Sequence, residues 1–446
     1  MNWINYMNSI NESNKNKNMN RLLIISALIL LGWNLSAQDR VKVMSYNLLN
    51  YGNTTSYCTQ SNNSILAKNL YNKTIIDYIK PDIIGVVEMG SSDFAQNMFR
   101  DSCLNVNGVT HYAKATKSNT AGSDIISLLY YNQDKFGLAG VVSLQNQVRD
   151  IVLFRLYYKS PNLASMTDTA FVNCLVAHLK SSKSSPNPSV RNQQVTAALN
   201  YLSSHYPADN YLFMGDLNLY KSSEAAYQTL TNYSNSNYRF NDPINKPGNW
   251  NNNSSFAAVH TQSTHSSSNG CAAGGGLDDR FDFILISNAL KTGSKHISYV
   301  NNSYKVIGND GNHFNKSINS GTNNSVPSNV LSALYNNSDH LPIVLELDLD
   351  NTVASISDIE KANRIRVRFQ NPINNTLNLA ISSKKTQELS IRIYDLQGRM
   401  IKSKQHTANE NTNIQFDMSE VANGLYIIQI IGENNQLVYS AKCLKQ

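Results

Sequence analysis

Six apolar runs along this chain are each bordered by a polar side chain suited to a phosphate or a metal ion. That pattern restricts the fold more than any other feature. In order they are VKVMSYN, reaching Asn47; DIIGVVE, reaching Glu88; NCLVAH, reaching His178; LFMGDLN, with Asp216 and Asn218; RFDFILIS, with Asp282; and SDHLPIVLEL, with Asp339 and His340. Runs of four to eight residues rich in Val, Ile, Leu and Phe read as buried strands. Polar groups at such strand ends gather at one rim of a sheet, where open α/β folds place their ligands. Carboxylates, amides and imidazoles without cysteine suit a hard, oxygen-seeking cation and hydrolytic chemistry.

Strands and helices alternate with loops from Val41 to about Asp350. Helices are expected over 64–78, 93–99 and 191–202. SDIISLLYY, VVSLQNQ and DIVLFRLYYK follow one another too closely for helices between them and are expected to be antiparallel neighbours. Residues 228–276 are rich in Asn, Ser and Gly and read as a long irregular excursion. Together these features predict two packed sheets with helices outside, an α+β or α/β sandwich, over residues 38–350. Residues 351–372 read as a linker. From 373 to 446 short alternating strands, split by turns such as Gln397-Gly398 and Asn423-Gly424, predict a small all-β sandwich.

Residues 1–37 read as a targeting segment. Arg21 precedes LLIISALILLGW, and Ser36-Ala37 offers a cleavage site; Met19 would make an ordinary start for such a peptide. The apolar stretch is too short for a membrane span, so an exported protein without stable membrane insertion is expected. The formal charge of +7 lies mostly outside the large domain, which keeps only about +1. Residues 38–350 therefore lack the strongly basic footprint of a nucleic-acid binder, and charge barely informs the substrate. Four of the five cysteines, Cys58, Cys103, Cys174 and Cys271, fall in that domain and allow three complete pairings; Cys174, inside an expected buried strand, reads as a core residue.

Phosphodiester hydrolysis needs a cation on the phosphoryl oxygens, a base for water and stabilisation of the leaving oxygen. Glu88, Asn47 and Asp339 are the expected metal group. Asp216 and Asn218, alternating along one strand, are expected to face the attacking water and the phosphate. His340 is expected to be oriented by Asp282, with His178 as a second ring aimed at a phosphate oxygen. Gly274–Gly276 lacks a following GK[ST] and reads as a turn, not a phosphate loop.

SYNLLNYG, IIGVVEMG, VAHLKSS, MGDLN, RFDFILIS and SDHLPIVLEL resemble, in order, the motifs of the endonuclease/exonuclease/phosphatase superfamily, which includes deoxyribonuclease I. The resemblance implies a four-layer sandwich and a divalent cation, magnesium with manganese or calcium as alternatives. It carries over a metal site at Asn47, Glu88 and Asp339, a phosphate contact at His178, Asp216 with Asn218 around the nucleophile, and an Asp282–His340 pair. Val87 stands where many relatives have Gln, and SYNLLNYG departs from the AP-endonuclease form. NPINNTLNL, IRIYDLQGRMI and VANGLYIIQI, with a basic end, resemble a type IX secretion sorting domain. The expected protein is then a secreted monomeric phosphodiesterase, first of all an endonuclease on extracellular nucleic acid, that engages the type IX machinery. A sphingomyelinase, another phosphoesterase or an inactive binding protein of the same fold are the alternatives.

Overall fold

The structure, a computed structural model, describes residues 39–160, 169–349, 365–383, 387–408, 412–432 and 437–446. The expected targeting segment and most of the expected linker lie outside the described residues.

Two mixed sheets form the large domain. In the first, the order is β11 (Ile297–Tyr299), β13 (Ile343–Leu349), β1 (Asp39–Tyr51), β2 (Ile83–Gly90), β4 (Ile125–Asn132) and β3 (Tyr112–Lys114), with β12 (Lys305–Val306) also on β13. In the second, it is β5 (Phe136–Gln145), β6 (Ile151–Tyr158), β7 (Phe171–His178), β8 (Tyr211–Asp216), β10 (Asp282–Ser287) and β9 (Phe240–Asn241). Each sheet has a parallel pair at its centre, β1–β2 and β7–β8.

Side-chain alternation builds the layers. Along β7, Val172, Cys174 and Val176 join the core between the sheets, while Leu175 and Ala177 join a second core on the outer face. That second core is closed by α3 (Asn187–His205), whose buried residues Arg191, Gln194, Val195, Ala198, Leu199 and Leu202 repeat at helical spacing. On the other side α1 (Ile65–Ile79) buries Ile75, Ile76 and Ile79, and α2 (Asp93–Phe99) buries Phe99. Gly85 of β2 shows how close the sheets come: a Cβ there would stand 2.6 Å from the Met214 methyl. The four-layer sandwich expected from the sequence is the observed arrangement.

Two expectations fail for stated reasons. β4 and β5 are not neighbours, because the chain crosses from one sheet to the other between Asn132 and Phe136; only β5 and β6 pair antiparallel, while β4 pairs with β2. The 228–276 excursion is also more ordered than its composition suggests. It contains the last part of α4 (Ala225–Asn232), two short 3₁₀ turns and β9. Trp250 is fully buried there, with its indole N–H on the Leu219 carbonyl at 2.6 Å. Arg280 grips Asp242 with two hydrogen bonds of 2.8 Å while its guanidinium lies 4.3 Å from the Phe283 ring centre.

The C-terminal unit has two sheets: β14 (Ile365–Arg368), β15 (Thr376–Ser383) and β18 (Thr412–Asp417); and β17 (Met400–Ala408), β16 (Gln387–Tyr394), β19 (Gly424–Ile431) and β20 (Leu437–Lys445). Leu377, Leu379, Ile381, Ile391, Ile393, Ile428 and Ile430 fill the space between them. Pairing begins at Ile365, inside the stretch read as linker. Among the described residues no helix is long and apolar enough to cross a membrane.

Candidate active site

Strand register assembles half of the site. His178 on β7 stands opposite Asp216 on β8, and Asp216 stands opposite Asp282 on β10. Three functional groups thus line up across neighbouring strands of the second sheet. The first sheet supplies Asn47 at the kinked end of β1 and Glu88 from a bulge in β2. Glu88 adopts φ +56°, and the ladders to β1 and β4 both break around it. The segment before β13 brings Asp339 and His340. Ser338 pins it to β1 through its hydroxyl, which donates to the Asn47 carbonyl at 2.8 Å and accepts from the His340 N–H at 3.1 Å.

The Asn47 amide is the hub. Its NH₂ lies 2.9 Å from Glu88 Oε1, 3.1 Å from Asp216 Oδ2 and 3.4 Å from His340 Nε2, and its oxygen accepts the Leu49 N–H at 2.9 Å. As placed, Asn47 offers the carboxylates a donor rather than offering an ion an oxygen. His340 Nδ1 is 2.8 Å from Asp282 Oδ2, and its Nε2 is 3.7 Å from Asp216 Oδ2. His178 Nε2 sits 3.6 Å from Asp216 and 3.9 Å from Glu88, while its Nδ1 is buried without a hydrogen-bond partner. The two carboxylates on the Nε2 side favour the ring proton on that nitrogen.

Asp216 and Asn218 meet by a different route from the one expected. β8 stops at Asp216, Asn218 turns to φ +50°, and its N–H donates to Asp216 Oδ1 at 3.0 Å. This is an Asx-type turn, not strand alternation. It ties down one carboxylate oxygen and leaves Oδ2 facing the rings.

Burial and charge set the protonation states. Burial pushes Asp216 up, with Asp282 and Glu88 adding to the shift and His340 opposing it. Burial alone would lower His340, but Asp282, by charge and hydrogen bond, with Asp216 and Asp339 behind it, holds the ring charged well above its usual range. His178 goes the other way: burial, then Arg149, His340 and Lys180, keep it neutral. Two buried rings therefore carry opposite states.

Atoms of Glu88, His178 and Asp216 lie within 4.8 Å of one another; with the His178 proton on Nε2, the two carboxylates are the members of this group left to hold a metal ion. Asp339 Oδ1 and Asp282 Oδ1 are buried with no hydrogen-bond donor. Unsatisfied carboxylate oxygens of this kind cost free energy unless a cation meets them, so the donor set fits a divalent ion. Asp339, grouped from sequence with Asn47 and Glu88, is not part of that close trio.

Four contributors had not been singled out. Asn50 donates from its backbone and side chain to Glu88 Oε2 at 3.0 and 3.2 Å. Gln262 reaches Asp339 Oδ2 at 3.2 Å and His340 Nε2 at 2.8 Å from the middle of the irregular excursion, where no local pattern marks it. Arg149 donates to the carbonyls of His178 and Leu179, within reach of the Glu88 and Asp216 charges. Lys68 is buried on the inner face of α1 and bonds the Asn337 carbonyl; burial lowers its pKa to about 7, against the pull of Asp339 and Glu88. Its place on the helical stripe Lys68, Asn72, Ile75, Ile79 was the one readable signal.

The large domain is a two-sheet α/β sandwich with a buried acid–imidazole–amide cluster at the shared rim of its sheets. Residues 369–445 match the family model of the secretion system C-terminal sorting domain. No curated protein matches the sequence. Among solved structures, an endonuclease/exonuclease/phosphatase from Beutenbergia cavernae is similar at 13% identity and TM-score 0.40, covering 90% of this chain and 99% of that one. D. rerio TDP2 complexed with single strand DNA product is similar at 12% identity and TM-score 0.43, covering 70% and 99%. The human Nocturnin catalytic domain with bound sulfate is similar at 14% identity and TM-score 0.40, covering 70% and 97%. Likeness at this level carries no functional argument; the geometry of the site does.

Proposed function

We propose that this protein is an exported phosphodiesterase of the endonuclease/exonuclease/phosphatase type that cleaves extracellular DNA or RNA. One observation carries the reading: an imidazole held by a buried carboxylate, His340 Nδ1 to Asp282 Oδ2 at 2.8 Å, turns its other nitrogen toward the second carboxylate, Asp216. A divalent cation, magnesium before manganese or calcium, would be held by Glu88, with the unpartnered Asp339 Oδ1 as a further ligand and Asn47 orienting Glu88, and would neutralise phosphoryl charge. Asp216 takes the proton of the attacking water, its raised pKa bringing its basicity toward the working pH. The Asn218 N–H fixes that carboxylate. Charged His340 donates to a phosphoryl oxygen, and neutral His178 donates from Nε2 to another. Export through the type IX route rests on the sorting-domain match and on the targeting segment read at residues 1–37.

A phospholipid phosphodiester is the second reading. Leu66 and Leu70 on α1 and Phe94 on α2 are exposed at 68, 66 and 66%, on the helices that follow the strands bearing Asn47 and Glu88. The test is to incubate the chain from Gln38 with plasmid, RNA, sphingomyelin and a chromogenic phosphomonoester, with and without chelator. Chelator-sensitive nucleic-acid cleavage is expected. Sphingomyelin turnover alone would move the assignment to lipid, and no turnover in magnesium, manganese or calcium would leave a binding protein.

A further inference from the structure

The 262–273 loop touches the site at both of its ends. At one end Gln262 donates to Asp339 Oδ2 and meets His340 Nε2. At the other the Ala273 N–H donates to the same Asp339 oxygen at 2.9 Å. Between them the loop is cinched by the Ser263 hydroxyl on the Ala273 carbonyl at 2.6 Å and lies against the Ser338–Asp339 backbone through Thr264. A single covalent bond ties it across the domain: Cys271 is joined to Cys58, 213 residues earlier. Asn62 adds a bond to the Asn269 carbonyl at 3.1 Å.

Cys58 belongs to the loop after β1 that holds the other carboxylate. Asn50, whose backbone and side chain both serve Glu88, also has its amide 3.6 Å from Cys58 Sγ. Asn63 holds the carbonyls of Leu49 and Asn50 at 3.0 and 3.3 Å. The disulfide therefore joins the loop packed on Asn50, the donor to Glu88 on one sheet, to the loop that supplies donors to Asp339 beside the other. Cys103 and Cys174, the other cysteines of this domain, are buried and free.

We propose that residues 262–273 form a disulfide-anchored strap that positions Asp339 and His340, so that the site is fully assembled only when Cys58 and Cys271 are oxidised. Gln262 is the positioning residue. Its side-chain amide sits between the carboxylate and the ring, 3.2 Å from Asp339 Oδ2 and 2.8 Å from His340 Nε2, which fixes their spacing; partners of this kind tune a metal ligand about 10- to 100-fold. Opening the bond consumes two electrons and two protons from a dithiol reductant, giving the Cys58 and Cys271 thiols and the reductant's own disulfide. Closing it returns them to a disulfide acceptor, the condition met outside the cell. A chain that is still reduced would carry the side chains of the site without their spacing. This inference rests on the reading of the site as a metal-dependent one, but not on its substrate.

The test follows metal binding and turnover separately. Magnesium or manganese alone is titrated calorimetrically into the full exported chain, oxidised, reduced by dithiol, and as the Cys58→Ser/Cys271→Ser double variant; alkylation counts the opened thiols under native conditions. Metal affinity is expected to fall about tenfold in both opened forms. Gln262→Met, which keeps the side-chain length and loses the amide, is expected to lower kcat at least about tenfold with KM changed less than about threefold, its disulfide intact. If the double variant fails to fold, reduction of the wild-type chain still decides. Unchanged metal affinity with both thiols alkylated, or an unchanged kcat in Gln262→Met, overturns the strap. Normal metal binding with no turnover of any phosphoester would instead overturn the proposed function and leave the strap standing.

Discussion

At the scale of single residues, the candidate site gives similar groups unlike environments. His178 and His340 are both buried, yet one has a carboxylate at 2.8 Å and the other has none closer than 3.6 Å. The first is held charged and the second neutral. Glu88→Ala and His340→Ala are each expected to cut kcat by about 10²–10⁴, the range for removing a positioned acid, base or ion-binding group. Glu88→Ala should keep the wild-type melting temperature within a few degrees, whereas His340→Ala strands the buried Asp282 carboxylate and should lower it; calorimetry alongside steady-state rates checks both. The identities of these residues were readable in the sequence, because each borders an apolar run. Their pairing was not: Asp282 and His340 lie 58 positions apart, and only the β8–β10 register and the Ser338 tether set their distance.

At the scale of elements, the parallel β7–β8 pair leaves no room for a side chain at Gly215. Gly215 lies at φ +134°, and a Cβ there would fall 1.9 Å from the Ala177 carbonyl oxygen. Gly215→Ala is expected to cost about 2–4 kcal/mol, from backbone strain and overpacking together, seen as a lower denaturation midpoint. The loop elements depend instead on the Arg280–Asp242 pair, with side chains only 1 and 4% exposed. Burial alone would raise Asp242, but Arg280 reverses this and brings its pKa below the usual carboxylate range. The pair's stabilisation is thus present above the unfolded carboxylate value of about 3.9 and is lost as pH falls through the lower folded value. Asp242→Asn strands a buried guanidinium and is expected to cost about 3–5 kcal/mol near neutrality, with a flatter acid limb in a stability-versus-pH series. Sequence composition made this region look irregular because its order comes from Trp250 and from the Arg280–Asp242 pair, which leave no local periodicity.

At the scale of the whole molecule, the candidate site and the sorting-domain match fall in different stretches of the chain. The groups of the site all come from residues 47–340, and the sorting-domain match covers 369–445. A chain ending at residue 350 is therefore expected to retain kcat within about twofold and to remain inside the cell, because the omitted strands supply no group to the site. Assaying lysate and medium of a secreting host for both forms checks this; loss of activity on truncation would show that the units are coupled.

The sequence by itself determined the layers, the succession of buried strands and the kinds of polar residue at their ends, because burial on one or two faces writes a periodicity into neighbouring positions. It also determined that a second, all-β unit follows. Tertiary structure alone decided which groups touch. The crossing from sheet to sheet after Asn132, the turn that seats Asn218 on Asp216, and the choice of Cys58–Cys271 among the pairings each depend on chain segments meeting across large separations. So does the arrival of Gln262 at the Asp339–His340 pair from a polar loop. Such meetings are fixed by the packing of whole elements, which no local pattern encodes.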